Sequence, residues 1–103
     1  MRELKGEADL QLAKDVLCAF EEANYPNSQA CSDIREGLYW DTEHKCYSAD
    51  LGYLLRGEAE DVRIFEYGEK DDWLTPFPDM MMTGGWTLTA FVNFKGKLYF
   101  FCI

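Results

Sequence analysis

Residues 86–103 read WTLTAFVNFKGKLYFFCI, and this stretch decides the fold. Trp86, Leu88, Ala90 and Val92 alternate with Thr87, Thr89, Phe91 and Asn93, the period of two by which a strand divides its side chains between two faces. Lys95-Gly96 then brings turn chemistry, and Leu98 to Ile103 returns as an apolar strand, so the pattern predicts a β-hairpin. With Gly96 as the left-handed residue of a three-residue turn, Leu98, Phe100 and Cys102 join the face of Trp86, Leu88 and Val92. Tyr99, Phe101 and Ile103 then share the threonine face with Phe91, and a register one residue different exchanges the two sets. Either way one strand is apolar on both faces, which requires it to be central in a sheet or covered on its second face.

Upstream, Glu7 to Asn24 carries a helical period that gathers Leu10, Leu12, Ala13, Val16, Leu17, Ala19, Phe20 and Ala23 on one half of the wheel. Asn24-Tyr25-Pro26-Asn27-Ser28 ends that helix. Cys18 falls on the opposite side among Lys14, Asp15, Glu21 and Glu22, where it reads as an exposed and inert thiol. A polar linker of about ten residues follows, and Glu36–Asp41 and Lys45–Ala49 then flank Thr42-Glu43-His44 as a short hairpin. Residues 48–57 read as a strand that pairs with Val62–Tyr67, with a helix capped by Ser48 as the other choice; Gly52 weakens the helix. Gly68 to Gly85, with two prolines, reads as a long surface loop. The expected architecture is one α+β domain over residues 1–103: an N-terminal amphipathic helix on an antiparallel sheet that ends in a C-terminal hairpin.

At 103 residues, 48% of them hydrophobic and 16% aromatic, the chain has enough apolar area for one core. The longest apolar run, Leu98 to Ile103, is six residues, against roughly 20 for a helix that crosses a bilayer. Acids near the N-terminus do not fit a secretory signal, and Cys18, Cys31, Cys46 and Cys102 form no Cys-x-x-Cys pair. The expectation is a cytoplasmic protein with reduced thiols.

Nineteen acids against ten bases give −9, distributed unevenly. Residues 36–79 hold twelve acids and four bases, whereas the last 24 residues hold only Lys95 and Lys97. Such a surface repels phosphate backbones and anionic lipid, which argues against direct nucleic-acid or membrane binding. It can instead steer association with a basic protein, although acids also serve simply to keep an aromatic-rich protein soluble.

Few residues offer catalysis or metal binding. His44 is the only histidine, and His44 with Cys46 is the one pair that could begin a zinc site or a cysteine-histidine dyad, without the second ligand pair that zinc usually has. Adjacent acids such as Glu60-Asp61 and Asp71-Asp72 point apart, the Gly84-Gly85 pair lacks P-loop context, and no calcium-loop spacing occurs. We therefore expect no enzyme, no metal and no cofactor. The stretch 71–82, DDWLTPFPDMMM, combines Trp73 and Phe77 with three methionines and a rim of acids, a composition suited to protein contact and equally to covering one end of the sheet.

In size and charge the chain is similar in kind to the inhibitors that phages direct at bacterial defence nucleases, anti-CRISPR proteins among them, and to immunity proteins that neutralise toxins. That likeness implies stoichiometric occlusion of a basic target such as a nuclease or a toxin, in the host cytoplasm if phage-encoded. Glu58, Glu60, Asp61, Glu69, Asp71 and Asp72 would supply the field, and Trp73 and Phe77 the buried contacts. The alternative is a non-catalytic homodimeric subunit that pairs through the apolar C-terminal sheet face at Tyr99 and Phe101.

Overall fold

The computed structural model describes residues 2–24, 29–49, 61–69 and 89–102. Among them the order is β1 (Arg2–Glu3), α1 (Leu10–Asn24), α2 (Ala30–Gly37), β2 (Leu38–Asp41), β3 (Cys46–Ala49), β4 (Asp61–Glu69), β5 (Thr89–Phe94) and β6 (Lys97–Cys102). The strands form one antiparallel sheet in the order β2-β3-β4-β6-β5, with β1 paired to β4, so the architecture is α+β. No helix among the described residues is long and apolar enough to cross a membrane.

The C-terminal hairpin forms, in the second of the two registers. Lys95 and Gly96 both take positive φ, 50° and 81°, and make a two-residue turn whose twist matches that of the strands. Val92 therefore opposes Tyr99, and Ala90 opposes Phe101. This corrects the expected grouping of Leu98, Phe100 and Cys102 with Val92. Tyr99 and Phe101 join Val92, Ile64 and Leu17 in the main core, while Phe100 and Cys102 pack with Phe65 on the other face. The doubly apolar strand, β6, is central between β4 and β5, as its composition requires.

Phe101 is fully buried, with its ring meeting Phe20 of α1 edge-on at 5.5 Å between centroids. Tyr99 is buried as well, so the face expected to receive a second copy is already covered by the chain's own helix. On β4, Tyr67 is the extra residue of a bulge between Glu66 and Gly68, and the strand runs to Glu69 where a loop was expected from Gly68.

The polar linker is corrected too: α2 occupies most of it, and β2 starts at Leu38 rather than Glu36. Cys31, Ile34 and Leu38 recur at helical spacing, Asp33 and Arg35 complement the two ends of the dipole, and Ile34 is buried. Because α2 packs against α1, Cys18 and Glu21 are each only 1% exposed, not on an open polar face. Ala23, expected in the core, is exposed near the helix end. The wheel allowed for one packing partner, and α1 has two.

The β2–β3 hairpin is present with Thr42–Lys45 as its turn, and β3 meets β4 through Tyr47 opposite Val62 and Ser48 opposite Asp61. Residues 50–57, most of the 68–85 loop and residues 86–88 lie outside the described residues.

Candidate functional site

Of the residues chosen for partner binding, Asp61 is described with its side chain and Glu69 by its backbone; Glu58, Glu60, Asp71, Asp72, Trp73 and Phe77 lie outside the described residues. Asp61 opens β4, is exposed, and accepts a hydrogen bond from the Ser48 hydroxyl of β3. Glu69 closes the same strand opposite Lys97. The two acids therefore stand at opposite ends of a nine-residue strand.

Beyond Cys46, on the side of β3 away from the Ser48–Asp61 pair, the sheet end is shaped by the sequence Asp41-Thr42-Glu43-His44-Lys45. Asp41 Oδ1 accepts the backbone N–H groups of Glu43 at 2.9 Å and His44 at 3.1 Å, and the Lys45 N–H donates to the Asp41 carbonyl at 2.8 Å. Lys45 closes the turn in the left-handed region at φ 55°, a conformation that glycine or asparagine adopts more easily. The His44 ring lies beside the second Asp41 oxygen, Nδ1 to Oδ2 2.8 Å. That hydrogen bond, reinforced by the charges of Asp41, Glu43 and Asp61, raises the His44 pKa above its ordinary value. His44 thus pairs with an acid of its own turn, and Cys46 faces Ser48, its sulfur 4.0 Å from the hydroxyl. Among the described residues no group of three or more His, Cys, Asp or Glu side chains could hold a metal ion.

Beside this turn lies a cavity of about 380 Å³ lined by Glu3, Lys5, Trp40, His44, Lys45 and Arg63. Arg63 Nε and Nη2 each donate to a Glu3 oxygen at 2.9 Å, and the guanidinium lies 5.1 Å from the Phe65 ring centre. Lys5 and Lys45 have no ion-pair partner among the described residues. Sequence reading missed this pocket because its lining comes from three separated segments, with Asp41-x-x-His44 as the only local signal.

Elsewhere three more of the described bases pair with the chain's own acids. Arg2 bridges Asp9 at 3.1 Å and Glu66 at 3.3 Å, Lys97 reaches Glu66 at 3.4 Å, and Arg35 reaches Asp15 at 2.9 Å. Burial pushes the Glu66 carboxyl up, but Arg2 and Lys97 outweigh it and hold its pKa below the ordinary value. No family model, no curated protein and no solved structure matches the chain.

Proposed function

We propose that the protein acts by stoichiometric binding, presenting the acidic segment 58–72 and the anchors Trp73 and Phe77 to a basic surface of another protein in the cytoplasm. The observation that carries this reading is the surplus of acids and its position in the chain. Among the described residues four bases, Arg2, Arg35, Arg63 and Lys97, engage four acids, Glu3, Asp9, Asp15 and Glu66, one for one, which leaves the net charge of −9 unchanged. The surplus of nine is therefore untouched, and it is concentrated in residues 36–79, where Glu36, Glu43 and Asp61 are exposed. A field of that sign favours a target such as a nuclease or a toxin, whose working surface is basic, and needs neither cofactor nor catalysis.

The test is binding to an immobilised nuclease or toxin across a salt series. Affinity should fall steeply between low and physiological ionic strength, and further in the Asp71→Lys, Asp72→Lys variant. Affinity indifferent to both would end the proposal.

A second reading is favoured by the pocket beside His44, where Lys5, Lys45 and Trp40 offer cationic groups and an aromatic face within an acidic protein. It would hold a small anion. Calorimetry with inorganic phosphate and with a mononucleotide, on the parent chain and on Lys5→Ala, Lys45→Ala, separates this reading from the first: no heat from either ligand removes it.

A further inference from the structure

Cys18 of α1 and Cys31 of α2 are thirteen positions apart in sequence and are brought together by the packing of the two helices. Their contacts are reciprocal. The Cys31 thiol donates to the Cys18 carbonyl at 3.3 Å, and the Cys18 thiol approaches the Cys31 carbonyl at 3.5 Å. Cys31 Sγ also lies 3.5 Å from Glu22 Oε1. Beside them opens a cavity of about 240 Å³, lined by Cys18 together with Asp15, Glu22, Arg35 and Lys95. Cys31 is partly exposed, and Cys18, though buried, lines that cavity.

We infer that Cys18 and Cys31 are a reversible oxidation site, a dithiol that closes to a disulfide by exchange with low-molecular-weight disulfides such as oxidised glutathione. The Cys31 thiolate attacks one glutathione sulfur; the glutathione disulfide breaks, and the first glutathione leaves with the proton that Cys31 gave up. The Cys18 sulfur then attacks Cys31 in the mixed disulfide, and the second glutathione leaves with the Cys18 proton. Two protein thiols become one disulfide, and two electrons pass to glutathione.

The surroundings set the rate. Burial, Cys18 and Glu22 push the Cys31 thiol up to about 12, and burial raises Cys18 as well, so both sulfurs are protonated at neutral pH. Exchange should therefore be slow at pH 7 and accelerate about tenfold per pH unit to pH 9, following the thiolate fraction. Cys46 and Cys102 are buried and do not take part: Cys46 packs beside Ser48, and Cys102 lies in the Phe65–Phe100 cluster.

The experiment equilibrates the full chain in oxidised and reduced glutathione and follows mass, peptide map and Tm. A bond between Cys18 and Cys31, a loss of two hydrogens and a rise in Tm of about 10 °C, all reversed by dithiothreitol, are the expected results. The Cys18→Ser variant should stop at a glutathione adduct on Cys31, and the Cys46→Ala, Cys102→Ala variant should oxidise like the parent. If that last variant fails to fold, the peptide map of the parent chain gives the same assignment. A stable glutathione adduct on the parent's Cys31, a bond to Cys46 or Cys102, or oxidation only in denaturant would overturn the inference.

Discussion

The Nδ1 of His44 lies 2.8 Å from Oδ2 of Asp41, while the other oxygen of the same carboxylate caps the backbone of the turn that carries His44. One acid thus fixes both the chain reversal and the ring. The ring's own hydrogen bond is the largest cause that holds the Asp41 pKa below 3.8, and the same bond raises His44 above 6.5.

The sign of each contribution follows from linkage. His44, raised in the folded state, supports the turn fully below pH 6.5 and loses that support as pH rises through its folded pKa. Asp41, lowered, contributes above pH 3.8 and ceases as pH falls through its folded pKa. Both act together between those limits. Because His44 is the only histidine, a proton NMR titration of its ring reports this pair alone. The midpoint should lie above 6.5 and return toward that value in Asp41→Asn. A midpoint at or below it in the parent chain would show that the two side chains do not pair in solution.

The C-terminal turn yields a prediction of opposite sign at two neighbouring positions. Lys95 holds φ 50°, which costs a non-glycine residue roughly 1 kcal/mol, and regains part of that by lying 5.3 Å from the Phe94 ring centre, a contact worth about 0.5 kcal/mol when exposed. Lys95→Asn supplies a residue that tolerates the left-handed region and should stabilise the protein by about 0.5 kcal/mol in urea denaturation. Gly96→Ala should cost about 1 kcal/mol. With nothing within 4 Å of the added carbon, the whole cost is conformational. If Gly96→Ala were neutral, the two-residue turn and the register it sets would be wrong.

That register marks where sequence reading stops. Alternation of Trp86 to Asn93 and the Lys95-Gly96 break are local signals, so the hairpin is legible. Whether Leu98 or Tyr99 joins Val92 on the core face depends on one residue of turn length, which Lys-Gly does not specify. The helix α2 is illegible for another reason: Cys31, Ile34 and Leu38 are too few to show a period, and the helix is held by docking on α1 rather than by its own pattern. The burial of Cys18 and Glu21 follows from that docking, so missing one meant missing the other. The surplus of acids is legible from composition alone. The pocket beside His44 is not, because residues 3, 5, 40 and 63 meet only through β1, β2 and β4.

Docking of α2 is open to direct measurement. Ile34 is 2% exposed in the main core, so Ile34→Ala should lower stability by about 2–4 kcal/mol. Phe101→Ala, which also removes the edge contact with Phe20, should cost about 3–5 kcal/mol. Glu36→Ala on the exposed side of α2 should change little, about 0.5 kcal/mol at most. An Ile34→Ala effect as small as that of Glu36→Ala would mean that residues 30–37 are the polar linker their composition suggests.

The pocket beside His44 depends on a strand of two residues, β1, which pairs with β4 only at Arg2 and Glu3. So short a strand cannot be held by backbone pairing alone. Leu4, 1% exposed, anchors it in the core and donates its N–H to the Ile64 carbonyl at 2.9 Å, and the bidentate Glu3–Arg63 pair clamps the other face. Arg63 is about a third exposed, which screens the pair, so Glu3→Gln should cost only about 1 kcal/mol, whereas Leu4→Ala should cost about 2–4 kcal/mol. A double-mutant cycle of Glu3→Gln with Arg63→Met should return a coupling of about 1 kcal/mol. Zero coupling would remove the clamp. Since Glu3 and Lys5 form one wall of the pocket, any small-anion binding there should weaken in Leu4→Ala even at temperatures where the rest of the sheet stays folded.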